Sequence, residues 1–343
     1  MKKLLSLGLA AMLAFGLATT SFADDDTSSS EPSSTPATFT LDKEYDLAGA
    51  GTSPEEIFHL KEIGTPTETS TGVTNIPDFT KDNNGYVANV TFESGAAGDA
   101  AKNKQTFSAD WPEYTEVGVY NYTFQEVAGD TAGVTYYGKT LYVTVYVVNN
   151  AEGGVTVEGY TVRPDNNDKQ TAKIEEITNT YSAGELDVKK TVEGNMGNKN
   201  QYFTFTVTLT APEGTTVKST IGLNSGDLTS KDNPETITFD EKGTATATIY
   251  LKDNETFKFT NIPDGVTYVV EEAAVDDYVS TVDEDGAAAT GTIDTTTKTV
   301  HYINTKDQGI DMGVTLNNMP YILVLAVLAA GVAVFVIRKR RED

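Results

Sequence analysis

Between Thr38 and about Lys306, apolar residues recur at every second position in short runs separated by Gly, Asn, Asp and Pro. Side chains two apart on an extended chain share a face, so this alternation predicts half-buried β-strands. Residues 117–124, 139–148, 202–209, 244–251 and 267–270 show it, and they are rich in the Val, Thr and Tyr that suit a pleated surface. No long amphipathic helical stretch competes with them. Short strands at this spacing predict an all-β chain folded as β-sandwiches.

The two ends follow a different pattern. Met1-Lys2-Lys3, an apolar run from Leu4 to Leu17 and then Ser21-Phe22-Ala23 have the layout of a secretory signal peptide, residues 1–23, cleaved after Ala23. Residues 24–37 form a low-complexity linker, too poor in apolar side chains to offset the entropy of ordering. Near the other end, the stretch from Tyr321 to Ile337 has no charge, and at roughly 17 residues it reaches the lower limit for crossing a bilayer. Arg338-Lys339-Arg340-Arg341 follows at once and places the tail inside the cell by the positive-inside rule. A buried core helix does not account for four consecutive cations. Residues 320–343 are therefore expected to be a transmembrane span with a basic cytoplasmic tail, and the bulk of the chain an ectodomain at the surface of a bacterium.

Composition narrows the function. The 343 residues leave room for two domains once the ends are set aside. There is no Cys, which removes disulfides, thiolate metal sites and a thiol nucleophile, so an exported chain must be stabilised in another way. The net charge of −25, spread along the ectodomain, argues against nucleic acid or anionic lipid as partner and favours solubility. A surface hydrolase finds little support: His59 and His301 are the only histidines, far apart and with no nucleophile or ligand motif beside them. Asp24-Asp25-Asp26, Asp276-Asp277 and Asp283-Glu284-Asp285 lack the spacing of a calcium loop, so no metal and no cofactor are expected.

The ectodomain also repeats. Phe39-Thr40-Leu41-Asp42-Lys43 returns as Leu186-Asp187-Val188-Lys189-Lys190, with Lys43 and Lys190 on the face of the apolar pair. Tyr122-Thr123-Phe124-Gln125-Glu126 returns as Tyr268-Val269-Val270-Glu271-Glu272, and Ile177-Thr178-Asn179 returns as Tyr302-Ile303-Asn304. Each half thus carries a Lys near its start, a Glu in its middle and an Asn on its last strand, all on predicted core faces. Burying such groups is costly unless they meet. A single set reads as a buried ion pair bridged by Asn, or as strand-end residues reaching water; two sets in the same order point to a common purpose.

If the three meet, burial disfavours their charged forms, and a neutral amine and a neutral acid become the stable pair. The amine is a nucleophile and the carboxamide carbon of Asn an electrophile, while Glu polarises the amide and relays protons as ammonia leaves. Fixed placement supplies the effective molarity that an amine and an amide lack in water. The product is a Lys–Asn isopeptide cross-link, made once and never turned over, so the chain is not an enzyme in the ordinary sense.

These motifs resemble the two-domain backbone pilins of Gram-positive bacteria and their isopeptide-linkage domains. The likeness runs from Thr38 to the C-terminal tail and is most specific in FTLDK, GVYNYTFQE and EEITNTY, then in LDVKKTVEG, FTNIPDGVTYVVEE and VHYINTKD. The resemblance implies two tandem Ig-like β-sandwich domains, residues 38–182 and 183–306. It also implies cross-links Lys43–Asn179 and Lys190–Asn304, with Glu126 and Glu272 as their respective catalysts. Each loop so closed exceeds about a hundred residues, for which the chain-entropy estimate is about 4–5 kcal/mol.

The same resemblance implies a sorting-motif region, residues 307–319, in which a sortase cleaves between Thr and Gly. Here Ile310-Asp311-Met312-Gly313 holds that place, with Met312 where Thr is expected. Either a dedicated sortase accepts this motif or the membrane helix remains as the anchor. The acceptor amine of the next subunit falls by position on Lys173, with Lys169 as second choice; an ordinary solvated lysine is an equal reading of both. The expected partners are a sortase, neighbouring pilin subunits, ancillary pilins or host ligands, and the membrane. The competing function is an anchored adhesin that uses the same domains as a stalk and residues 64–98 as its binding surface.

Overall fold

The computed structural model describes residues 36–165, 171–224, 228–229 and 232–309. The expected signal peptide, most of the linker, the sorting motif and the membrane span lie outside the described residues. In chain order the strands of the first half are β1 (Thr38–Gly49), β2 (Glu56–Glu62), β3 (Thr67–Glu68), β4 (Ala88–Phe92), β5 (Lys104–Asp110), β6 (Gly118–Glu126), β7 (Val134–Thr135), β8 (Thr140–Asn149) and β9 (Val155–Pro164). Next comes β10 (Glu176–Glu193). The second half has β11 (Phe203–Thr210), β12 (Gly222–Asn224), β13 (Thr244–Leu251), β14 (Thr256–Pro263), β15 (Thr267–Glu272), β16 (Val279–Val282), β17 (Thr290–Thr292) and β18 (Thr297–Thr305). Among the described residues one short 3₁₀ turn, Ala96–Gly98, is the helical element.

Among the described residues three sheets result. A six-stranded sheet runs β4-β2-β6-β8-β9 with β3 added on β6, and a four-stranded sheet runs β13-β11-β15-β17. An eight-stranded sheet serves both halves, because β10 is shared: its first part pairs with β1 in parallel, its second part with β18 in parallel and β14 antiparallel. Two apolar cores fill the spaces between sheets. The first joins Phe39, Leu41 and Tyr181 of the shared sheet to Phe58, Tyr122, Phe124 and Val143 of the six-stranded one. The second joins Leu186, Val188, Phe257 and Val300 to Phe205, Val207, Ile249 and Val270. Each such side chain withdrawn from water contributes about 1.5–3 kcal/mol.

The strand β10 changes the phase of its alternation along its length. Ile177, Asn179, Tyr181 and Ala183 point into the first core, whereas Leu186, Val188, Lys190 and Val192 point into the second. Passing from odd to even positions requires an irregularity, and the pairing with β14 shifts register between Gly184 and Leu186. Gly184 is required there by close backbone approach, since a Cβ at this position would lie 1.9 Å from the Asp294 carbonyl oxygen. One continuous strand thereby closes the first core and opens the second.

Other contacts tie the halves around this strand. Asn261, held at φ 58°, accepts the Thr52 N–H at 2.9 Å and the Tyr181 hydroxyl at 3.2 Å through Oδ1. The Thr216 N–H donates to the Asp130 carbonyl at 2.7 Å, and the Ala132 N–H donates back to the Thr216 carbonyl at 2.9 Å. The long stretch before β4 is fastened down as well. Phe79 is buried against Phe39, Tyr122 and Phe124, Lys81 pairs with Glu62 at 3.0 Å, and the Tyr122 hydroxyl donates to the Pro77 carbonyl. Phe79 anchors this part of residues 64–98 in the first core.

Candidate functional site

The backbone register fixes where lysine and asparagine stand. In β1 and β10 the residue opposite Asn179 is Tyr45, two beyond Lys43. In β10 and β18 the residue opposite Asn304 is Val192, two beyond Lys190. The same diagonal therefore occurs twice, between neighbouring parallel strands and on one face of the sheet, where long side chains reach each other. The glutamates come from the facing sheets: Glu126 ends β6, and Glu272 ends β15.

In the first half Lys43 Nζ lies 2.7 Å from Glu126 Oε2, and Asn179 Nδ2 donates to Glu126 Oε1 at 2.5 Å. The two oxygens of one carboxylate thus face the amine and the carboxamide nitrogen separately. The backbone N–H of Tyr137 donates to Asn179 Oδ1 at 2.7 Å and approaches Glu126 Oε1 at 3.3 Å. Lys43 and Asn179 are fully enclosed, and Glu126 is 3% exposed. The Phe58 ring floors the site, with its centroid 4.7 Å from the amine.

The second half repeats the group with a looser grip. Lys190 Nζ lies 3.2 Å from Glu272 Oε1, and Asn304 Nδ2 donates to the same oxygen at 2.9 Å. Glu272 Oε2 instead accepts the hydroxyl of Ser280 from β16. Among the described residues Asn304 Oδ1 accepts no hydrogen bond. The Phe203 ring lies 4.4 Å from the amine, in the place that Phe58 takes in the first half.

Burial is the dominant electrostatic effect at both lysines. Desolvation brings Lys43 down to about 8 from the ordinary 10.5, opposed only in part by the charge and hydrogen bond of Glu126. Lys190 is brought down to about 8 for the same reason, with Glu272 and Asp253 opposing. An amine so placed gives up its proton more readily than an exposed lysine does. The arrangement is thus a partly neutral nucleophile, a carboxamide carbon and a carboxyl group in contact with both nitrogens. Groups so arranged suit acyl transfer from amide to amine.

The other expected residues lie elsewhere. Lys173 is exposed, on the segment that leads from β9 into β10, where the Ile174 N–H donates to the Val162 carbonyl at 2.9 Å. Lys169, Met312 and Gly313 lie outside the described residues. His59 stacks on Tyr86 and bonds Asn89, while His301 bonds Thr191 and Asp283, so each has a structural partner. No cluster of three or more acidic or histidine side chains suited to a metal occurs among the described residues. Sequence reasoning missed Tyr137, Ser280, Phe58 and Phe203. Phe58 and Phe203 belong to ordinary alternating strands, and Tyr137 acts through its backbone, which no side-chain pattern marks.

Comparison with known proteins bears on both halves. Residues 39–182 match the family described as "Spy0128-like isopeptide containing domain", and residues 184–306 match "Domain of unknown function (DUF7601)". The chain is 30% identical over 271 residues to a protein named "Pilin" from Streptococcus pyogenes serotype M1, covering 73% of this chain and 76% of that one. It is 31% identical over 134 residues to the pilus tip adhesin Cpa of Streptococcus pyogenes, which is 38% of this chain and 18% of that protein. The crystal structure of the major pilin from Streptococcus pyogenes is 24% identical, with a TM-score of 0.49, covering 79% of this chain and 99% of that chain.

Proposed function

We propose that this chain, which belongs to the pilin family, is a pilus backbone subunit polymerised by a sortase and braced by two autocatalytic Lys–Asn isopeptide bonds. In this reading Lys43 joins Asn179 under Glu126, and Lys190 joins Asn304 under Glu272, each within one of two tandem Ig-like sandwiches, residues 38–182 and 183–306. The observation that carries it is the repetition: against the shared sheet, each half brings Lys, Glu and Asn into a buried contact group with the same register offset. Random burial of three polar groups does not recur in this way, given what each costs without a purpose.

The mechanical consequence follows from topology. Each bond links the first strand of a half to the last, and those strands lie side by side in parallel. Tension applied at the two ends of a half then passes through a covalent bridge rather than peeling strands apart. Because β10 belongs to both halves, the load path continues from one bond to the next. Such bracing takes the place of disulfides in a chain without Cys.

Intact mass of the ectodomain tests the chemistry. Two bonds lower it by about 34 Da, roughly 17 Da for each ammonia lost in this amine-on-amide transfer; a full-mass protein overturns the reading. Denaturing gels of cell-wall extracts test the assembly. A backbone subunit joined through the Ile310–Gly313 region gives a ladder, and Lys173→Ala removes it if that amine is the acceptor. A single band favours the second reading, an anchored adhesin using the domains as a stalk, which draws on the similarity to the tip adhesin.

A further inference from the structure

We infer that the backbone N–H of Tyr137 is an oxyanion donor that makes the Lys43–Asn179 site the faster of the two, so that the N-terminal half locks before the C-terminal half. This deepens the cross-linking reading above and rests on it. The reaction begins with Lys43 Nζ attacking Cγ of Asn179. As the Nζ–Cγ bond forms, the π electrons of the carbonyl move onto Oδ1. That atom already accepts the Tyr137 N–H at 2.7 Å, and the bond strengthens as the charge grows. Glu126 then carries one amine proton from its Oε2 side to its Oε1 side, where Nδ2 is held. The Cγ–Nδ2 bond breaks, ammonia leaves with that proton, and Oδ1 returns to a carbonyl. Atoms and charge balance with no co-reactant.

The second site lacks two of these provisions. Asn304 Oδ1 has no donor among the described residues, so charge on it develops without a preset hydrogen bond. A single oxygen, Glu272 Oε1, faces both the incoming amine at 3.2 Å and the departing nitrogen at 2.9 Å, because Oε2 is engaged by Ser280. The carboxyl group must turn, and leave Ser280, before its two oxygens divide the work. Tyr137 sits in the connection between β7 and β8, so the donor reaches the site when that connection closes over the ends of β6 and β10. Cross-linking in the first half then reports that this loop has docked.

Removing one oxyanion donor slows acyl transfer about a hundredfold or more, which sets the expected gap between sites. The test is a pulse of cell-free synthesis of the ectodomain, quenched in acid denaturant at successive times. Intact mass counts the bonds, and peptide mapping assigns each. The expected course is Lys43–Asn179 first, with a population carrying one bond before the second appears. Equal rates, or Lys190–Asn304 first, overturn the inference while leaving the cross-linking reading intact; no mass loss at either site overturns both. Tyr137→Pro removes the N–H and is expected to slow the first bond toward the rate of the second, with the second unchanged. Tyr137→Ala, which keeps the N–H, is expected to retain the order; if it slows the first bond as much as Tyr137→Pro does, the side chain and not the donor is responsible, and the inference fails.

Discussion

Lys43 and Lys190 hold equivalent places in their halves, each two positions before the residue that faces the asparagine, yet the groups around them differ. Around Lys43 the carboxylate divides its oxygens between two nitrogens, and a backbone N–H caps the carboxamide. Around Lys190 one oxygen serves both nitrogens, and a serine hydroxyl occupies the other. What the halves share comes from strands: parallel register for lysine and asparagine, a facing sheet for glutamate, a phenylalanine beneath the amine. What separates them comes from what lies beyond the central strands, the residue 137 connection in one half and β16 in the other. Sheets thus fix which atoms meet, and peripheral segments tune how well they are prepared to react.

The largest effect that probes this comparison is loss of a catalyst. Glu126→Ala and Glu272→Ala should each halve the mass deficit, leaving about 17 Da, and each should cost about 4–5 kcal/mol through the unclosed loop. The amine left in the core without its carboxylate adds to that cost. Urea unfolding followed with intact mass separates the two halves. If either variant keeps the full deficit, that glutamate is not the catalyst.

Next in size is the shared strand. Gly184→Ala places a methyl group against the Asp294 carbonyl, and forced overpacking of this kind costs about 1–3 kcal/mol. Both bonds should still form, since neither site includes the bulge, so the unfolding midpoint falls while the mass stays fixed. A smaller change separates the sites again. Ser280→Ala frees Glu272 Oε2 and should alter the rate of the second bond by about tenfold, the scale of one hydrogen bond to a charged group. The first bond should be untouched. A change at both sites would show that their difference does not reside in their immediate neighbours.

A further effect concerns pH. In the double variant Asn179→Ala, Asn304→Ala, both amines remain titratable. Their folded values of about 8 lie below the ordinary 10.5, so between these limits the unfolded chain binds more protons. Stability of the variant should therefore rise with pH across that window, because the folded state no longer has to hold buried charge. If both bonds form as proposed, the wild type has no free amine at either site and lacks this gain, so the gap between the two urea midpoints should narrow from about pH 8 upward. A gap that widens over that window would refute burial as the dominant influence on the lysines.

Much of the framework was legible in the chain because alternation is a local property. Residues 244–251 were bounded from pattern alone as they stand in β13, and residues 139–148 differ from β8 by one residue at each end. The six polar residues of the triads were marked because each breaks an otherwise apolar face. Within residues 64–98, the binding surface of the adhesin alternative, Phe79 is buried in the first core. Phe79 has Pro77 and Lys81 two positions to either side, so no alternation marks it as core, and only contact with Phe39, Tyr122 and Phe124 shows its place. The phase change in β10 was present in the sequence, as Tyr181 and Ala183 against Leu186 and Val188, but its cause at Gly184 required the approach of Asp294.

By itself the sequence determined which residues face inward, that the stretch between Thr38 and about Lys306 repeats, and that Lys, Glu and Asn recur in one order. These follow from a period of two along an extended chain, which needs no knowledge of neighbours. Tertiary structure alone decided that β10 is common to both halves, that each lysine stands diagonal to its asparagine across a parallel pair, and that Tyr137 lends its N–H to one site while Ser280 binds the carboxylate of the other. Apart from Ser280 and Glu272, which are eight residues apart, those contacts join residues far apart in the chain, and backbone donors in particular leave no trace in side-chain identity. Whether a buried amine is prepared to react is therefore set by packing between distant segments, even where the residues that react can be read from their spacing.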